Sequence, residues 1–142
     1  MLAIGLLATT ILVVVGVYGF LFNASQKSVD YTAGTSVARS ELEGQVRMIQ
    51  TDPKVKTNFY GSSYANETVI ASGVYPLNQT NINWVIYAQD LGAVGGSSTY
   101  PLKKLRAVTS WWNSGNGLPA ASRQGYGTLS VELTRIMMYG DF

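Results

Sequence analysis

Cysteine and histidine are both absent from this chain of 142 residues. Without cysteine there is no disulfide framework and no thiolate metal site. Without histidine, serine or cysteine nucleophiles lack an imidazole base, and the common His/Cys zinc sites lack their ligands. Charge is scarce too. Charged residues make up 13% of the chain, against roughly 25% in an average soluble domain. A net charge of +2 provides no basic field of the kind that nucleic acid or an anionic membrane surface selects. Asp30, Glu41, Glu43 and Asp52 share one charged stretch, whereas Glu67, Asp90, Glu132 and Asp141 are scattered singly. No spacing among them marks a carboxylate pair for glycoside chemistry. The glycine-rich pieces at 92–96 and 115–117 lack the spacing and the Lys-Ser/Thr ending of a phosphate loop. The expectation is a protein that is not an enzyme, with no catalytic residue, no cofactor and no metal site.

What the chain has instead is oil at one end. The first 26 residues carry no charged side chain, and Lys27 is the first. Leu2, Ile4, Leu6, Leu7, Ile11, Leu12, Val15, Phe20 and Phe22 supply bulk to a nearly continuous apolar run over residues 1–22. At 1.5 Å per residue a helix of that length is about 33 Å long, enough to cross the hydrocarbon core of a bilayer. A secretory signal peptide would open with a basic region and keep its apolar core to about 7–15 residues. An ordinary signal anchor would carry Lys or Arg at a flank to orient it. A third reading explains the missing flank: a short charged leader has been removed, and Met1 is the mature N-terminus.

Beyond Phe22 the helical period continues. Val29, Ala33, Val37, Ala38, Leu42, Val46 and Ile49 recur at helical spacing and form one apolar stripe. Arg39, Glu43 and Arg47 alternate in sign at i, i+4 on the opposite face, each pair contributing a few tenths of a kcal/mol. The pattern ends at Asp52-Pro53, because the residue before proline is pushed out of helical geometry. These patterns divide the chain into an oily helix over 1–24, an amphipathic half of the same helix over 25–52, and a head over 53–142. The alternative is two helices broken near Asn23-Ala24-Ser25. Gly16, Gly19, Gly34 and Gly44 each weaken a helix by about 1 kcal/mol relative to alanine. Gly16 and Gly19, three apart beside a β-branched run, are where it should loosen.

In the head, residues 66–73 read as one short helix, with Asn66 as N-cap, Gly73 at the C-cap and Tyr75-Pro76 as a stop. Ile82, Trp84, Ile86 and Ala88 alternate with polar or smaller neighbours as in a half-buried strand. Residues 105–112 and 128–134 are two further strands, and 92–98 and 113–127 are turns or surface loops. An antiparallel sheet lying on the amphipathic half of the helix would bury both apolar faces. The expected fold class is α+β, a long N-terminal helix with a small antiparallel sheet.

That order of elements resembles a type IV pilin subunit. Residues 57–76, with Tyr60, Tyr64, Gly73, Tyr75 and Pro76, are similar to the segment after the long helix in bacterial type IVb pilins. There a tyrosine-rich loop leads to a short helix closed by glycine and then proline. Met1 at the mature first position fits that subclass. The architecture covers the whole chain, and the sequence likeness covers its first 76 residues. The resemblance implies a structural subunit of an extracellular fimbrium used in cell adhesion, a homo-oligomeric helical filament bundled through its N-terminal helices. It further implies N-methylated Met1, residence in the inner (cytoplasmic) membrane before assembly, handling by a pilus assembly machinery, and a helix that melts between about Gly16 and Phe22 once assembled. Two features depart from the family. Gly5 stands where glutamate usually neutralises a neighbour's terminal amine, leaving the Thr9 and Thr10 hydroxyls or backbone carbonyls as local acceptors. The usual cysteine pair is also missing. Archaeal type IV pilins tolerate both departures, keep the helix intact and carry an all-β head, so they stand as the alternative. Asn23-Ala-Ser, Asn66-Glu-Thr and Asn78-Gln-Thr match the N-glycosylation pattern those proteins often use.

One basic-aromatic cluster remains. Lys103, Lys104 and Arg106 precede Trp111 and Trp112, a mix that can grip single-stranded nucleic acid or glycan. The plainer reading has the tryptophans beneath the sheet and the charges solvating a strand end. A membrane-anchored extracellular domain that binds a ligand is the rival from a different functional class.

Overall fold

The computed structural model describes residues 2–77, 80–92, 102–111 and 129–138. Met1, Asn78, Trp112 and the expected loops at 93–98 and 113–127 lie outside them. The chain is α+β. A helix of 50 residues, α1 (Leu2–Thr51), leads to a short helix, α2 (Pro53–Gly61). Four strands follow: β1 (Thr68–Leu77), β2 (Thr80–Gly92), β3 (Leu102–Trp111) and β4 (Leu129–Met137). They form an antiparallel sheet in the order β1-β2-β3-β4, so β1 and β4 are its edges.

α1 runs unbroken through Gly16, Gly19 and Asn23-Ala24-Ser25, about 75 Å at the usual rise. A single helix replaces the alternative of two. Thr9, Thr32, Thr35 and Thr51 donate their hydroxyls to carbonyls four residues back, at 3.1, 2.9, 2.8 and 2.8 Å. Polar side chains on the helix are thereby satisfied without leaving it. The second half seats Gly34, Val37, Ala38, Leu42, Val46 and Ile49 against the sheet. Val29, expected in the same stripe, is 61% exposed. The covered stripe starts at Ala33, which packs with Val37 against Trp111 at the end of β3.

Asp52 separates the two helices. Its backbone is extended, and its carboxylate accepts from the N–H groups of Lys54 at 2.8 Å and Val55 at 3.4 Å. Its own N–H donates to the Met48 carbonyl at 3.0 Å, so one residue closes α1 and caps α2. Pro53 sits at the first turn, where no N–H is needed. α2 then buries Phe59 and Tyr60 in the main core beside Leu42, Val46, Ile49, Ile86, Ala88, Leu105, Ala107 and Met137.

Residues 66–73 are not a helix: from Thr68 onward they are β1. Thr68, Val69 and Ile70 are β-branched and favour a pleated surface, and Thr68 donates its hydroxyl to the Asn66 carbonyl at 3.1 Å within the preceding turn. Gly73 pairs with Trp84, and a Cβ there would stand 2.6 Å from the indole. It makes room for a ring, and no helix ends there. Tyr75 and Pro76 continue the strand, proline being tolerated because β1 is an edge. The other expected strands fall within β2, β3 and β4. β3 starts three residues earlier than expected and β4 continues three residues further.

Candidate functional site: the bare rod, its seat and the sheet charges

Along 7–22 every described side chain of α1 is exposed. Leu7, Ile11, Leu12, Val15, Phe20 and Phe22 all stand in the open, Leu12 at 72% and Phe20 at 74%. The helix contains a stretch long and apolar enough to cross a membrane, and none of that stretch is buried within the chain. The side chains of Leu2, Ile4 and Leu6 are outside the described set. Gly5, Gly16 and Gly19 have no neighbouring atom within 4 Å of a notional Cβ. An exposed apolar surface of this extent marks contact with a membrane or with other protein.

Where the rod meets the sheet, Trp111 is fully buried. Its ring packs so closely on Gly34 that a Cβ there would lie 2.4 Å from the indole, and Tyr31 meets it edge-on with centroids 5.3 Å apart. Beside it, Thr109 donates its hydroxyl to the Gly34 carbonyl at 3.1 Å. Gly34 is thus an approach point between helix and sheet, a role its helix propensity alone does not reveal. An open groove along the outer side of α1 is lined by Ser28, Tyr31, Thr32, Thr35, Ser36 and Arg39.

The basic-aromatic cluster does not assemble on one surface. Strand alternation sends Lys103 and Trp111 to the helix-facing side, where both are fully buried, and sends Lys104 and Arg106 to the opposite face. On that outer face Arg106 is held between Glu67 and Glu132, donating to each at 3.0 Å, and lies 4.8 Å from the Tyr87 ring. Lys104 reaches Glu67 at 3.0 Å. Hydrogen bonds from Arg106 and then Lys104 hold the Glu67 carboxyl below its ordinary range, and Glu67 in turn raises Arg106. Both cations have acidic partners, so little positive charge is left for a phosphate backbone or other anion. Among the described residues no group of three or more His, Cys, Asp or Glu is placed to hold a metal.

No family model, curated protein or solved structure matches this chain. Sequence reasoning found the rod and missed three features of the site: the Gly34–Trp111 contact, the pairing of Arg106 with Glu67 and Glu132, and the burial of Lys103. The last was legible in part, since Lys103 shares strand parity with Leu105 and Ala107.

Proposed function

We propose that this chain is a structural subunit of an extracellular helical filament of the type IV pilus kind, without enzymatic activity. The observation that carries the reading is a first half of α1 without charged side chains, exposed at every described side chain from 7 to 22, joined without a break to a half that is locked onto the sheet. A rod rigidly tied to its head places every head at a fixed position when the rods bundle. In the bundle each large apolar side chain removed from water contributes about 1.5–3 kcal/mol, and the heads form the outer sheath. Before assembly the rod spans the cytoplasmic membrane, its backbone groups satisfied by their own helix. Loosening at Gly16–Phe22 belongs to the assembled state, in which neighbours can satisfy freed amides.

Electron microscopy of material sheared from cells, with the chain detected by mass spectrometry, tests this. Filaments rich in the chain are the expected result. A chain that stays with membrane vesicles and never enters filaments overturns the reading in favour of a membrane-anchored binding domain. Unbroken helical hydrogen bonds through residues 14–23 within such filaments would reject the loosening and favour the archaeal alternative.

A further inference from the structure

Lys103 stands out among the described charged residues because its side chain is completely enclosed. It is the direct cross-strand partner of Asp90. Its Nζ donates to Asp90 Oδ1 at 2.6 Å and to the Ser62 carbonyl at 2.7 Å. The rings of Tyr64 and Phe59 wall the ammonium at 4.6 and 5.6 Å. The other carboxylate oxygen, Oδ2, accepts from the Tyr64 backbone N–H at 2.8 Å. The Asp90 backbone N–H donates in turn to the Tyr64 carbonyl at 2.9 Å, so the turn after α2 is tied to β2 through both the carboxylate and the backbone of Asp90.

As an ion pair this is an inefficient way to gain stability, because desolvating both charges offsets much of their attraction. The arrangement also holds an amine 2.6 Å from an oxygen of the carboxyl group it would acylate, shielded by aromatic rings, with both partners fixed in orientation. Such positioning replaces a slow bimolecular condensation by an intramolecular one. We propose that Lys103 and Asp90 are joined by a side-chain amide bond, a covalent staple between β2 and β3 in a chain that has no cysteine.

The chemistry closes on these groups alone. A proton passes from Nζ to Oδ1 along the hydrogen bond that joins them, exchanging two buried charges for a neutral amine and a neutral acid. The Nζ lone pair attacks Cγ, and the electron pair of the Cγ–Oδ2 double bond moves onto Oδ2. The Tyr64 N–H is already aimed at that oxygen and stabilises its developing charge, as an oxyanion-hole donor does. Nζ then gives a second proton to the Oδ1 hydroxyl, the Cγ–Oδ1 bond breaks, and water leaves as the Cγ–Oδ2 double bond reforms. An ammonium and a carboxylate become an amide and one water, with no change of oxidation state and no other reactant. The remaining Nζ–H keeps the Ser62 carbonyl, and Oδ2 keeps the Tyr64 N–H, so the product retains both orienting contacts. Asp90, with 16% of its side chain exposed, provides the exit for water.

This inference is independent of the filament reading, and either can fail alone. Full-length protein is denatured and labelled with an amine-reactive reagent. It is then digested and analysed by mass spectrometry beside a Lys103→Arg variant, which keeps the positive charge without a lysine amine. The expected result is a branched peptide joining the Asp90 and Lys103 segments, lighter than their sum by one water, with Lys103 unlabelled. Stoichiometric labelling of Lys103 in the wild type overturns the proposal. So does a water loss that persists in Lys103→Arg, which would point to dehydration at Asp90 alone. If the variant fails to fold, the wild-type digest still decides.

Discussion

Between residues 7 and 22 α1 exposes apolar side chains on every side, whereas between residues 33 and 49 it buries one stripe and leaves Arg39 and Glu43 in solvent, paired at 2.9 Å. Both stretches belong to one continuous helix. The second half finds its apolar partner within its own chain, in Ile86, Leu105, Ala107 and the α2 aromatics. The first half finds none among the described residues, so its burial waits for a membrane or for further copies. Folding of the head and burial of the rod are therefore separate events, and substitutions should divide between them.

The largest effect sharpens that division directly. Leu42→Ala removes a core side chain and should lower head stability by about 2–5 kcal/mol. Leu12→Ala, truncating an exposed side chain, should change it by less than about 0.5 kcal/mol. Denaturation in mild detergent, followed by tryptophan fluorescence, measures both. Equal losses would mean that the rod and head unfold as one unit. Filament yield should show the reverse order of sensitivity at Leu12, where stability is untouched.

Two glycines in the seated half refine the comparison. At Gly34 a side chain would run into the Trp111 ring, so Gly34→Leu should cost about 2–3 kcal/mol through overpacking. Gly44 has nothing within 4 Å, so Gly44→Ala should stabilise by about 0.5–1 kcal/mol through helix propensity alone. Opposite signs in the same denaturation experiment are expected. A stabilised Gly34→Leu would show that helix and sheet are not in close contact at Trp111.

The same contrast explains what was legible in the sequence. Long, strongly periodic signals were readable: the charge-free run, the stripe from Ala33 to Ile49, and the alternation in β2, β3 and β4. Residues 66–73 misled because Asn66 and Gly73 look like helix caps. The β-branched Thr68, Val69 and Ile70 favour the strand, and Gly73 serves Trp84 across the pair. The Asp52-Pro53 step ends the helical pattern of α1. An aspartate before a proline is equally a start signal, and α2 follows it. The patch at Lys103–Trp111 failed for a different reason. Adjacency in sequence within a strand places neighbours on opposite faces, so a run of basic residues does not make a basic surface. The partners Glu67 and Glu132 lie on other strands or turns, and no local pattern announces them.

Asp52 gives a smaller test at the joint between the helices. Asp52→Ala removes the acceptor for the Lys54 and Val55 N–H groups and should cost about 1 kcal/mol, while Asp52→Asn should retain most of it. If both variants match the wild type in denaturant, α2 is held by Phe59 and Tyr60 alone.

The smallest expected effect concerns charge on the outer face of the sheet. Arg106 and Lys104 hold the folded-state Glu67 carboxyl below its ordinary value. The unfolded state therefore binds more protons at this site as pH falls through the carboxylate range. Since stability rises with pH wherever the unfolded state binds more protons, the contribution of Glu67 is fully present above the ordinary carboxylate range. It declines as pH falls and is lost below the folded-state value. Glu67→Gln should flatten that part of the stability profile and leave the plateau near neutral pH slightly lower. Glu132 remains on Arg106 at 3.0 Å, so the cation keeps one partner and the loss stays small. Because these groups face solvent, salt at about 1 M shortens the screening length to about 3 Å and should narrow the gap between variant and wild type. Identical pH slopes at low salt would show that Glu67 is bound no more strongly when folded than when unfolded. The acid sensitivity of the head would then have to come from carboxylates elsewhere.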